Sequence, residues 1–237
     1  MSAPTEAATV YRTFMELDPY HDATRGVLID AQKAHRLTMS PFAYALEHKD
    51  FFTGSRTGHP DHRATHNILW AVNYTQNTHP SLLTTTPPRV RMIIQSDIPP
   101  DFDYWRCTEW TDALLHQPVI REHTPATTEH ATIEYQIVIN PRRNVTINGV
   151  RKTIIASHDR DILSWWTQKA TAAGLTLTTQ PDIDQPGTLT SQAKPLSIKH
   201  FRLTGKATIA NPAQFTHAAH HGIGAARAYG CGLLLTR

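Results

Sequence analysis

A chain of 237 residues can fold as one large domain or two small ones with real cores. Its apolar share of 40% contains no run near the ~20 residues that span a bilayer, its opening residues lack the pattern of a signal peptide, and Cys107 and Cys231 alone make no disulfide framework. These features exclude a helical membrane protein and suit a reducing cytoplasm, while the net charge of +3 is uneven: residues 1–129 hold 11 Lys/Arg against 15 Asp/Glu, and residues 130–237 hold 12 against 5. A basic second half fits a polyanionic partner, although a merely solvated surface has the same composition.

Thr9–Leu17 alternates apolar and polar residues and predicts a strand, ended by Asp18-Pro19. A helix is expected from near Asp30, with Ala31, Ala34, Leu37 and Thr38 as its core-facing stripe; Pro41 breaks or kinks its second half. Asp50–Thr65 reads as a polar loop, Ile68–Tyr74 as a strand, Thr75–Pro88 as a connection and Arg89–Ser96 as a strand. Strand, helix, strand, strand is most of a ferredoxin-like unit, which adds a second helix and a fourth strand. Asp97–Thr128, with Pro99-Pro100, Tyr104, Trp105 and Trp110, reads as the end of one lobe and a connection.

A second unit starts near Thr132, on a strand with Ile133, Tyr135 and Ile137 on one face, stopped by Asn140-Pro141. Asn148-Gly149 is a hairpin turn between Arg142-Arg143-Asn144 and Val150–Ile155. Asp159 or Asp161 can cap a helix that runs to Ala173 and ends at Gly174. Leu175–Thr179 then suits a short strand, Pro181–Gly187 a loop, and Phe201–Ile209 a strand with Phe201, Leu203, Ala207 and Ile209 on one face. Asn211 offers a cap and Pro212 a first turn for a helix to His221, and Leu233–Leu235 closes the chain as a strand. The economical architecture is α+β: two tandem ferredoxin-like (RRM-like) lobes, residues 1–110 and 120–237.

Between that last helix and strand lie Gly222-Ile223-Gly224 and Gly230-Cys231-Gly232. A dinucleotide fingerprint needs strand, glycines, then helix, the reverse of the order here, and no Gly-Lys-Ser/Thr marks a P-loop. Two readings remain: a helix C-cap with a tight bend, or a flexible backbone carrying Arg227 and Tyr229 whose amides lie against a phosphate-sugar chain.

Three stretches resemble a known family. They are GIGAARAYGCGLLL preceded by ANPAQF, EYQIVINPRRNVTINGVRKT followed by a helix ending in KATAAGLTL, and DAQKAHRLTMSPF on the first helix. Together they are similar to the CasE family of type I-E CRISPR repeat-processing endoribonucleases. The resemblance implies two ferredoxin-like lobes and a catalytic histidine, here His35, with Lys33 and Arg36 beside it to stabilise the phosphorane or position RNA. It also implies that Arg142, Arg143, Arg151 and Lys152 carry an RNA-contacting hairpin, and that Gly222, Gly224, Arg227, Gly230 and Gly232 approach the strand near the cut. The expected substrate is the stem-loop of precursor crRNA, cut at the base of the stem by its own 2′-OH without metal or other cofactor. The products would be a 5′-hydroxyl and a 2′,3′-cyclic phosphate or 3′-phosphate, and the protein would stay on the mature crRNA with the other Cascade subunits in the cytoplasm.

One position departs from the family. Its members carry a tyrosine three residues before the histidine, and this chain has Gln32, which can hydrogen-bond but cannot act as a phenolic acid or base. Tyr20, His21 and Tyr229 are other candidates for that role. The departure favours the alternative, a tandem RRM-like module that holds RNA without cutting it, although the aromatic RNP signature of a generic single-strand binder is absent. A metal-dependent nuclease is disfavoured, because few acidic residues fall near His35 or the glycine loop. His59, His62 and His66 lack the HExxH pattern, and these three, like His217, His220 and His221, read as solvent-facing or RNA-contacting.

Overall fold

The alternating and amphipathic segments of the sequence become a four-stranded sheet, a five-stranded sheet and a two-stranded hairpin, together with α-helices. The structure is a computed structural model, and it describes residues 9–43, 62–75, 88–103, 109–125, 128–191 and 195–237. His59 with most of the expected 50–65 loop, the connection 76–87, Tyr104, Trp105 and Cys107 lie outside the described residues. The chain divides into two compact units: Tyr11–Glu122 with Leu189–Leu196 forms one, and His123–Thr188 with Ser197–Arg237 forms most of the other.

In the first unit the elements run β1 (Val10–Leu17), α1 (Asp22–Ile29), α2 (Ala31–Met39), α3 (His62–Thr65), β2 (Leu69–Thr75), β3 (Arg89–Ser96), α4 (Glu109–Asp112) and β4 (Val119–His123). The sheet order is β2-β3-β1-β4, the ferredoxin-like order, with Tyr11 opposite Ser96 and Leu17 opposite Val90. Within 97–131, where no element stood out in the sequence, α4 and β4 supply the second helix and fourth strand; α4 is a single turn and β4 lies at the sheet edge with an exposed pattern, so neither carries a strong periodic signal. Met15, Leu17, Val27, Ala31, Ala34, Leu37, Trp70, Met92 and Ile94 form the buried interior. The sequence also hides α1. Its first turn is capped by His21, whose Nδ1 accepts the Ala23 N–H at 3.2 Å, and its buried stripe of Ala23, Thr24, Gly26 and Val27 includes a glycine, a poor helix former.

The second unit runs β5 (Thr132–Ile139), β6 (Arg142–Ile147), β7 (Val150–Ile155), α5 (Asp159–Ala172), β8 (Leu175–Leu177), β9 (Asp182–Ser191), β10 (Leu196–Ile209), α6 (Pro212–His221) and β11 (Leu234–Thr236). Its sheet order, β11-β5-β10-β8, is the same ferredoxin-like order, so the α+β tandem architecture holds in both units. The stretch expected as a loop, Pro181–Gly187, is instead the first half of β9, whose final residues belong to the first unit. Its sequence alternates poorly and contains Pro186-Gly187. Pairing with the long β10 makes it a strand, helped by an ion pair between Arg202 and Asp184.

The one-face residues of β5 and β10 meet in a single core with Trp166 and Phe215. The Trp166 indole N–H donates to the Tyr135 hydroxyl at 2.9 Å, and burial raises that phenol above its usual range. Tyr135 faces Gly205 across the ladder, where a Cβ would stand 2.8 Å from the hydroxyl, so the glycine is what lets the phenol reach Trp166. At the start of α5 the cap position falls to His158, without a side-chain bond. Asp159 and Asp161 sit in the first turn instead, where their charge suits the helix dipole. The helix stops at Gly174, whose φ of +73° favours glycine.

Candidate functional site

The helix expected to carry chemistry is α2. Asp30 leaves the helical region at φ −116° and ψ 117°, and its carboxylate accepts the N–H groups of Gln32 at 2.8 Å and Lys33 at 3.0 Å. Its backbone bridges to Thr190, whose hydroxyl donates to the Ile29 carbonyl at 3.4 Å. Ala31, Ala34, Leu37 and Thr38 are buried, as their spacing predicts. Gln32 and Arg36 point away from that stripe and His35 stands at its edge, three residues after Gln32, with Gln32 and His35 half-buried and Arg36 exposed. The exposed Lys33 runs back along α1: a Cβ on Gly26 would lie 2.8 Å from its Cδ. The helix ends at Met39, and Pro41 falls in a following 3-10 turn, Ser40–Phe42, rather than kinking it. Tyr20 is exposed, and His21 has its Nδ1 occupied as the cap of α1.

The basic hairpin is β6–β7, a two-stranded sheet of its own with Arg143 opposite Ile154 and Thr146 opposite Arg151. Arg142, Arg143, Arg151 and Lys152 are all exposed, and among the described residues they make no ion pair. By contrast Arg202 pairs with Asp184, and Lys206 and Arg237 pair with Glu134 at 3.1 and 2.9 Å, so those cations are already committed within the fold. The root of the hairpin is tied down: the buried Asn140 donates its side-chain N–H to the Lys199 carbonyl at 2.6 Å, and the Ala156 N–H donates to the Pro141 carbonyl at 3.0 Å.

After α6 comes the glycine loop. Asn211 caps that helix as expected, its side chain accepting the Gln214 N–H at 3.0 Å. The loop is not the flexible backbone that its composition suggests, because its own hydrogen bonds close it: Ile223 N–H to Gly232 O at 2.9 Å, Gly232 N–H to Val138 O at 2.7 Å, and Tyr229 N–H to Ala226 O at 2.9 Å. Gly232 has φ +90° and packs so closely that a Cβ would stand 2.8 Å from the Ile223 carbonyl oxygen. Of the five loop residues expected at RNA, Gly230 and Gly232 are buried and shape the loop, while Gly222, Gly224 and Arg227 remain accessible. Arg227 donates from Nη1 to the His221 carbonyl at 2.8 Å, capping the end of α6 with one of its donors.

Cys231 is enclosed in this loop, and burial pushes its thiol from 9.0 to about 12. The thiolate is the nucleophile, so iodoacetamide at about pH 8 is expected to leave Cys231 unmodified in the native protein and to label it after denaturation, as read by peptide mass. The raised value also adds stability below pH 9.0, which is lost as the pH climbs toward about 12. Native labelling of Cys231 would show that the loop opens.

The histidines at the end of α6 cluster: His217 and His221 stack with centroids 4.2 Å apart, and His220 meets His221 edge-on at 4.8 Å. Among the described residues, no group of three or more His, Cys, Asp or Glu side chains is arranged to hold a metal ion. Also among them, no helix is long and apolar enough to cross a membrane.

One residue with little signal in the sequence is Trp165. It joins the hairpin root to the glycine loop, and only an adjacent tryptophan pair marks it, of which a helix can turn just one fully inward.

Known proteins place this architecture. The family described as CRISPR associated protein matches residues 10–237. No curated protein matches the sequence. Among solved structures, Thermus thermophilus Cse3 bound to an RNA representing a pre-cleavage complex aligns with a TM-score of 0.70 at 17% identity, covering 97% of this chain and 99% of that one. Cas6e from Escherichia coli K-12 aligns at 0.58 and 15%, over 96% and 98%. A chain of a CRISPR RNA-guided surveillance complex aligns at 0.56 and 20%, over 95% and 98%. At these identities the likeness is one of fold. Matched from its first strand to its last residue, the chain belongs to the family of CRISPR-associated proteins.

Proposed function

We propose that this chain is a metal-independent endoribonuclease that binds the stem-loop of CRISPR repeat RNA and cuts precursor crRNA at the base of the stem. The observation that carries this reading is the half-exposed His35 on a capped helix, at the position the family resemblance assigns, in a chain of that family. RNA supplies its own nucleophile. The 2′-oxygen bonds to phosphorus, the bond from phosphorus to the 5′-oxygen breaks, the 2′ proton is removed and the 5′-oxygen gains one. Imidazole titrates near neutrality and suits either transfer. Arg36, exposed next to it, supplies positive charge for the extra negative charge on the phosphorane, while Lys33 runs back along α1 and adds charge from further off. The products are a 5′-hydroxyl and a 2′,3′-cyclic phosphate or its 3′-phosphate.

The exposed cations of β6–β7 fit the stem, because a protruding hairpin can reach edges and phosphates that single side chains rarely reach in the narrow A-form major groove. Gly222, Gly224 and the remaining donors of Arg227 fit the strand near the cut. Similarity to a chain of a surveillance complex supports retention on mature crRNA with other Cascade subunits. The test is cleavage of a repeat hairpin in EDTA, beside a copy with a 2′-deoxy nucleotide just upstream of the cut. The unmodified RNA is expected to be cut and the deoxy copy to survive; dependence on a divalent ion, or cleavage of the deoxy copy, would sink the mechanism.

Gln32 supports a second reading, an RNA-holding module that does not cut. Tight binding with neither RNA cleaved would establish it.

A further inference from the structure

Helix α5 carries two adjacent tryptophans with different neighbours. Trp166 is fully buried and bonded to Tyr135 in the core. Trp165, 8% exposed, lies at the core boundary and touches both elements assigned to RNA. Its indole N–H donates to the Arg142 carbonyl at 3.2 Å, at the root of the basic hairpin. Its ring edge abuts the glycine loop, where a Cβ on Gly224 would stand 2.9 Å from Cη2. The Lys169 ammonium lies 5.8 Å from the ring centroid and holds the ring from one face.

The hairpin needs such a tie. β6–β7 is a separate sheet that shares no ladder with β11-β5-β10-β8, so its direction is set where it leaves the fold. There the Trp165 indole fixes the first hairpin residue, and Gly224, with φ +89°, keeps the opposite loop close against the same ring. An alanine at 224 would meet both a strained backbone and the ring.

We propose that Trp165 is the positioning residue that sets the spacing between the basic hairpin and the glycine loop, so that both engage one RNA. The proposal rests on the assignment of those two elements to RNA. A tryptophan that only filled the core boundary would affect folding without regard to the hairpin's cations; a positioning tryptophan acts through them.

The experiment is a double-mutant cycle on the affinity of the full chain for a repeat hairpin RNA. Trp165→Phe keeps a ring against Gly224 and loses the N–H. It is expected to weaken binding about fivefold through the freed hairpin root, and to lower the melting temperature by a few degrees because the Arg142 carbonyl loses its donor. In a background with Arg142, Arg143, Arg151 and Lys152 all changed to alanine the same change is expected to cost nothing further, because the hairpin it orients no longer grips RNA. An equal penalty in both backgrounds, or wild-type affinity for Trp165→Phe, would overturn the proposal while leaving the RNA assignment intact. Wild-type affinity for the fourfold alanine variant would instead remove the assignment beneath it.

Discussion

His35→Ala is expected to slow single-turnover cleavage of a repeat hairpin by about 100- to 10,000-fold, the usual worth of a general acid or base, with affinity for the RNA unchanged. The substitution leaves the fold intact for a local reason. His35 lies half-buried at the edge of the stripe of Ala31, Ala34 and Leu37, its bulk is not part of that core, and alanine is the better helix former. The Asp30 cap, with its two accepted N–H groups, does not involve the imidazole. Gln32 stands one turn earlier on the same face, and its carboxamide cannot exchange a proton at neutral pH. The slower rate therefore reports on the imidazole itself. Cleavage by His35→Ala at the wild-type rate with unchanged binding would end the catalytic assignment.

Removing the hairpin's charge tests the other half of the site. Arg142, Arg143, Arg151 and Lys152 together changed to Ala are expected to weaken hairpin RNA binding by on the order of 100- to 1,000-fold, taking about 1 kcal/mol for each solvent-exposed ion pair with a phosphate. The slope of log K against log salt is expected to fall by about one for each phosphate that is no longer neutralised. The four side chains are exposed on a sheet of their own, so the core of Trp166, Phe215 and Leu203 is untouched and the melting temperature should hold. An unchanged salt slope would mean that the hairpin faces solvent and blunts an edge, the common use of such charge.

Read from residues alone, the chain already declared most of its elements. Alternation marked β1, β3, β5 and the second half of β10. Asn148-Gly149 marked the hairpin, and Asn211-Pro212 and Gly174 marked helix ends. All of these signals act over a few residues, through side-chain periodicity, caps and positive φ, so a local stretch contains them whole. The resemblance added His35 and the order of the parts. What only the tertiary structure decided involves partners distant in sequence. β9 is a strand because β10 pairs with it, not because Asp182–Ser191 alternates. Gly230 and Gly232 are buried because the loop folds back onto Ile223 and Val138, which no glycine count reveals. Trp165 and Trp166 are neighbours of one residue type, and their separate tasks come from Arg142, Gly224 and Tyr135, each brought to the helix by packing rather than by sequence. Local pattern selects the element; burial against remote partners selects which side chains remain outside to meet a ligand.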